Sequence, residues 1–240
     1  MVRIVDGGGR RTWVTGRDER VCEWLRIVRV TDVQAIRWVL GALNDIEGPV
    51  STRRAQVWCA RMEVVGLIER ANLGGPGGSI VWGTYEATGR SRPNIYGQTT
   101  RHEVAVASVS ARYINAGFAW RRDDRSEYVG GHQADGVALG RRTSELIEVE
   151  LTAKRAPRYA SIFSAYRRRL ELGDSDRVAY FCTDGAARAV RTALKASPSG
   201  RAVAPHIGVR VVFDERGAVR SSSADRAVSE DAAILLGDEG

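Results

Sequence analysis

Apolar residues recur along the chain at a helical period, and where that period stops the pattern changes to strand-like alternation. Residues 1–14 show no helical period and read as an arm or short strand. Val21, Trp24, Leu25 and Val28 then fall three or four apart and predict a helix, with Thr15-Gly16-Arg17-Asp18 as its capping motif. Val33, Ile36, Val39 and Leu40 predict a second helix, capped by Thr31. Ser51 is the cap of a third, whose apolar stripe is Ala55, Trp58, Met62 and Val65 and which stops at Gly66. Leu67–Arg70 and Ser79–Tyr85 read as strands around the tip Gly74-Gly75-Pro76-Gly77-Gly78.

Beyond a Pro- and Gly-containing linker at 90–98, a helix is expected over 101–116. Strand-like runs follow at 118–122, 134–139, 146–152, 178–182 and 207–213. Helices over 158–172 and 184–196 separate the later ones. Helix, three strands, helix, strand predicts an α/β sandwich with a mixed sheet. The expected organisation is therefore 1–97, 98–213 and an acidic, flexible tail at 214–240 that is dispensable for folding.

Composition sharpens this picture in two ways. No apolar run is long enough to span a bilayer and no secretory signal is legible, so a cytoplasmic protein is expected. The net charge is +7, and 34 of the 36 basic residues are arginine, leaving only Lys154 and Lys195. Positive charge over 1–213 followed by an acidic tail suggests a polyanionic partner. Thr52, Arg53, Arg54, Gln56 and Arg61 lie off the buried stripe of the third helix. Arginine and glutamine are the side chains that grip guanine and adenine edges bidentately. The plain alternative is a solvated face on a helical subdomain that only packs.

The order of helices and hairpin over about 15–90 resembles a winged helix-turn-helix domain. The resemblance rests on residues 53–66, the following Leu-Ile-Glu-Arg, the Gly-rich wing and residues 82–89. It implies that the third helix enters the major groove of double-stranded DNA while the hairpin touches the backbone.

The stretch from His132 to Lys154 carries the candidate chemistry. In Leu146 to Lys154 the residues Ile147, Val149, Leu151 and Ala153 alternate with Glu148, Glu150, Thr152 and Lys154. A turn centred between Arg141 and Arg142 would set Asp135 directly across from Glu148. Two opposed carboxylates repel unless a cation bridges them. His132, at an odd offset from Asp135, would face away on a straight strand. Lys154 would lie roughly 20 Å beyond Glu148 unless the chain bends.

These strands resemble the PD-(D/E)XK nuclease superfamily, whose core runs α-β-β-β-α-β. The resemblance implies Asp135 and Glu148 as ligands of Mg2+ or Mn2+, with Glu150 in the usual lysine position and Lys154 as the nearest lysine. More narrowly, residues 15–185 resemble the replication-relaxation proteins of actinobacterial plasmids and mobile elements. The quoted matches are the His102-Glu103 helix, Ala134-Asp135-Gly136, Glu-x-Glu-Leu-Thr-x-Lys and the Tyr-containing helix after it. The implied function is a metal-dependent DNA endonuclease acting on plasmid, phage or mobile-element DNA. Asp135, Glu148, Glu150 and Lys154 would be its catalytic residues, with His102 and Glu103 as auxiliaries. The alternative is a catalytically silent DNA-binding regulator, or a replication or recombination accessory, using the nuclease fold as a scaffold. A homodimer and a replication or recombination protein are the further partner classes.

Overall fold

The computed structural model describes residues 2–5, 11–73, 78–123 and 131–220, together with 225 and 228. The glycine tip at 74–77 and most of the tail beyond 220 lie outside the described residues. The fold is mixed α/β, and the chain divides into two units, 1–116 and 117–240. Among the described residues there are eight α-helices and a mixed five-stranded sheet.

In the first unit, strands β1 (Val2–Val5) and β2 (Arg11–Val14) form an antiparallel pair. Helix α1 (Gly16–Val28) opens on the expected capping box: Asp18 accepts the Thr15 N–H at 2.8 Å, and the Thr15 hydroxyl accepts the Asp18 N–H. Helix α2 (Val33–Ala42) is capped by Asp32, not by Thr31. Thr31 is extended in the short strand β3 (Thr31–Asp32), paired with Val81, so the next residue becomes the last non-helical one and takes the cap. Helix α3 (Thr52–Val64) is capped by Ser51, as expected. The turn after it passes through Gly66 at φ +73°, a backbone that side chains other than hydrogen resist. Strands β4 (Ile68–Asn72) and β5 (Ser79–Gly83) pair antiparallel, with β3 on the other side of β5. A single turn, α4 (Tyr85–Thr88), follows.

Helix α5 (Thr100–Asn115) departs from the sequence expectation. The sequence pattern groups it with the sheet-bearing half, with a boundary at 97, but the structure packs it in the first unit, which runs to 116. Its Ala107 and Ala111 join the core of Leu25, Ile36, Val39, Trp58 and Met62. Trp24 Nε1 donates to Ser110 Oγ at 3.0 Å, and the Arg112 guanidinium lies 4.8 Å from the Trp38 ring centroid. At its end Asn115 clamps the loop after α2. Its Oδ1 accepts the Gly48 N–H at 2.8 Å, and its Nδ2 faces the Ile46 carbonyl at 3.0 Å and the Gly48 carbonyl at 3.2 Å. Amphipathic periodicity shows that a helix buries one face; it does not say in which core.

The second unit is built on a sheet of order β10-β9-β8-β7-β6. Strands β6 (Ala119–Arg121), β7 (Gly136–Leu139) and β8 (Ser144–Glu150) form an antiparallel meander. Helix α6 (Ala156–Glu171) crosses over to β9 (Arg177–Cys182), parallel to β8. Helices α7 (Asp184–Ala196) and α8 (Pro198–Val203) lead to β10 (Ile207–Val211), parallel to β9. Tyr159, Phe163 and Tyr166 of α6 pack on Leu146, Val178 and Tyr180 of the sheet. Part of the expected flexible tail is folded: Phe213 bridges to Val219, the Arg220 N–H donates to the Val212 carbonyl, and Val228 is buried.

Asn115→Ala removes the bonds between α5 and the loop at 46–48 and leaves half-buried backbone groups without those partners. The expected cost is about 1–2 kcal/mol, read as a lower urea midpoint at unchanged slope.

Candidate functional sites

The sequence points to a basic face on α3, and the structure divides those residues into two groups. Ala55, Trp58, Cys59 and Met62 are buried, which turns Arg53, Arg54 and Gln56 to the exposed side, with Thr52 half-buried at the first turn. Neither the Arg53 nor the Arg54 guanidinium has an intramolecular partner among the described residues, and the first turn of α3 contains no acid. Arg61 is different. Its guanidinium grips Asp18 with both nitrogens, at 2.5 and 3.0 Å, and donates to the Trp13 carbonyl at 2.7 Å. Trp58 Nε1 donates to the same Asp18 carboxylate at 2.8 Å. Burial pushes the Asp18 carboxyl up, but the hydrogen bonds from Arg61, Thr15 and Trp58 outweigh it and hold it below its ordinary value. Arg61 therefore fastens α3 to α1.

The second candidate centres on β7 and β8. The expected register holds: Gly136 faces Ile147 and Val137 faces Leu146. Asp135 sits just before β7, its N–H donating to the Ile147 carbonyl at 2.9 Å. Gly136 follows because any Cβ there would come within 2.1 Å of the Trp120 ring. The Asp135 side chain does not stand free: its Oδ2 accepts the Val149 N–H at 2.8 Å.

The alternating acids of β8 do not form a solvent face. Glu148 and Glu150 are both buried on the side that α6 covers. Glu148 Oε1 accepts from the Tyr166 hydroxyl and lies 2.6 Å from His132 Nε2. Glu150 is bound by the Lys154 ammonium. Burial pushes the Glu150 carboxyl up, Lys154 opposes that, and Glu148 and Asp135 add to it. The pKa of Tyr166 is pushed well above its ordinary value by burial and then by the Glu148 charge. The Tyr180 hydroxyl, fully buried, is pushed up by burial and by the same two glutamates, and it has no hydrogen-bond partner among the described residues.

Two expectations are corrected here. Lys154 is not stranded along a straight strand: β8 ends at Glu150, the chain bends at 151–152, and the ammonium returns to Glu150. The Lys154 N–H is held by the Tyr159 hydroxyl at 3.0 Å. His132 does not face away, because 131–134 is not a strand and parity along it has no meaning. Tyr166 and Tyr180 were legible only as apolar packing, since nothing in a sequence says that a tyrosine hydroxyl in a helix or strand faces a buried carboxylate. His102 and Glu103 ride on α5 and so belong to the first unit.

What holds the 131–135 segment in place is a buried ion pair. Asp123 receives both nitrogens of Arg169 at 2.6 and 3.0 Å and the Ala134 N–H at 2.8 Å. Gln133 Nε2 donates to the Asp123 carbonyl at 2.6 Å. Arg169 thus positions the segment, while Arg167 on the same helix pairs with Glu171.

The fit to a divalent cation is poor. Asp135 is engaged by an amide, Glu148 by a phenol and an imidazole, and Glu150 by an ammonium. Among the described residues no group of three or more His, Cys, Asp or Glu side chains is disposed to hold a metal ion.

Arg169→Ala should cost about 3–5 kcal/mol, because it leaves Asp123 charged and unpaired in the interior. Tyr166→Phe should cost about 1–3 kcal/mol, and much less in a Glu148→Leu background, where no acceptor is left. Additive losses in that double-mutant cycle would show the two side chains to be uncoupled.

No family model matches the chain, and neither a curated protein nor a solved structure matches it, which leaves geometry and charge as the guides to function.

Proposed function

We propose that the protein binds double-stranded DNA through its first unit, a winged helix-turn-helix in which α3 enters the major groove. The second unit is then a PD-(D/E)XK-type fold serving as a scaffold for replication, recombination or regulation at that DNA. The observation that carries the DNA-binding half is the pair Arg53 and Arg54, exposed and without a partner among the described residues, with Arg53 opposite the buried stripe of α3 and Arg54 on the flank. An arginine that the fold does not use is available to a phosphate or a guanine edge. The observation that favours a scaffold over an enzyme is that Asp135, Glu148 and Glu150 each already have a donor from this chain.

The test is binding of the full chain to duplex DNA at several salt concentrations. Arg53→Ala with Arg54→Ala should flatten the salt dependence by about one per lost phosphate contact, or relax base choice by about 1–3 kcal/mol where a guanine is read. Arg61→Ala should instead lower stability and leave the footprint unchanged at temperatures where the protein is folded. A footprint indifferent to loss of both Arg53 and Arg54 removes α3 from the interface.

The second reading, a Mg2+- or Mn2+-dependent endonuclease, is favoured by one feature. The strand register and the bend at 151–152 gather Asp135, Glu148, Glu150 and Lys154 into one region, beside the Tyr180 hydroxyl, which has no hydrogen-bond partner among the described residues. A scaffold predicts that Mg2+ and Mn2+ leave the melting temperature unchanged. It also predicts that Asp135→Asn destabilises by roughly 1–3 kcal/mol, because the Val149 amide loses a charged acceptor. Metal-dependent stabilisation of the parent, absent in Asp135→Asn and accompanied by DNA cleavage, establishes the enzyme instead.

A further inference from the structure

Helix α3 carries a second apolar row on its outer side. Val57 is 61% exposed and Val64 is 52% exposed, and Ala60 between them is exposed as well. With 3.6 residues per turn, Arg53, Val57, Ala60 and Val64 fall within about 60° of one another, on the side opposite Ala55, Trp58 and Met62. Valine is a poor choice for a solvated helix position: branching at Cβ costs it rotamer freedom there.

We infer that this row reads the 5-methyl groups of thymines, so that the protein selects DNA sites with thymine at defined positions. The inference rests on the proposed DNA-binding role of α3. Charge decides the occupant. The row begins at Arg53, with Arg54 on its flank, and contains no acid. The nearest acid, Glu63, lies at the edge of the face and is paired with Arg70 at 2.6 Å. A face of unpartnered arginine and apolar side chains complements phosphate oxygens beside thymine methyls. A second copy packed antiparallel on this face would set Arg53 against Val64, which offers the guanidinium no acceptor. The size of the side chains agrees. A helix with its side chains is about 10–12 Å across and the major groove about 12 Å wide, so valine and alanine allow the close approach that larger groups would block. Val57 and Val64 are about 10 Å apart along the helix axis, close to three base-pair steps.

The experiment uses the full chain and a duplex enriched from a random pool by binding to it. Each thymine in that duplex is replaced in turn by deoxyuridine, which removes only the methyl group. The expected result is a loss of about three- to fivefold in affinity at one or two positions, the scale of one buried methyl. Val57→Ala or Val64→Ala should bind the thymine duplex correspondingly less tightly and should no longer distinguish thymine from uracil at its position. Both side chains are exposed and alanine favours helix, so these variants are expected to stay folded. An enriched duplex with no uracil-sensitive position overturns the inference. So does a uracil effect that persists undiminished in both variants. If Val57→Glu dissociates a dimer in sedimentation while DNA affinity is unaltered, the row is a contact between copies and the inference is overturned. Failure to enrich any duplex at low salt removes the DNA-binding role itself, a result separate from the other three.

Discussion

A carboxylate under a helix must find donors inside the protein, and in the second unit Glu148 sets that demand. Placed on β8 beneath α6, it is out of reach of bulk water, where an unpaired charge is untenable. Tyr166 meets it from α6 and His132 from the segment before β7. Each donor brings a further requirement. Tyr166 must come from a helix packed closely on the sheet, which its stacked neighbours Tyr159 and Phe163 provide. His132 must come from a non-repetitive segment, and Asp123 with Arg169 fixes that segment. One buried charge therefore ties together the meander, the crossover helix and the loop between β6 and β7.

The same logic governs the first unit at Asp18. It is both the capping partner of Thr15 and the acceptor for Trp58 and Arg61, so one carboxylate closes α1 and fastens α3 to it. This fixes which way α3 is turned. Because Arg61 and Trp58 are held on the Asp18 side, the face around Arg53 and Val57 is the one left open.

How much of this could be read from the sequence follows from the range of each interaction. Local devices were legible: the Thr15 box, the Ser51 cap, the turn at Gly66 and the inner stripe of α3 all depend on residues within a few positions. The register of β7 on β8 was legible too, because a short hairpin leaves few alternatives. The failures are all at longer range or in irregular backbone. Ownership of α5 depends on Ala107, Ala111 and Asn115 meeting residues some seventy positions away. The reach of Lys154 and the direction of His132 depend on backbone that is not extended, so a strand's length and parity mislead there. A helical period places Arg61 off the buried stripe but does not show its partner, Asp18, forty-three residues earlier.

Arginine content alone is therefore a weak guide to a polyanion site in a chain where 34 of 36 basic residues are arginine. The useful question is which of them the fold has already engaged. Arg61, Arg112 and Arg169 are partly or fully buried and bound to a carboxylate, a carbonyl or a ring. Removing any of them would damage the fold before it changed binding. Arg53 and Arg54 are held by no partner among the described residues and lie beside an apolar row that is also exposed. Exposed arginine is solvated and a single exposed valine is ordinary, but the two together on one helix face suit a molecule that offers anionic and apolar groups at once. Duplex DNA, with phosphates flanking a groove lined by base edges and methyl groups, offers that combination on a single surface.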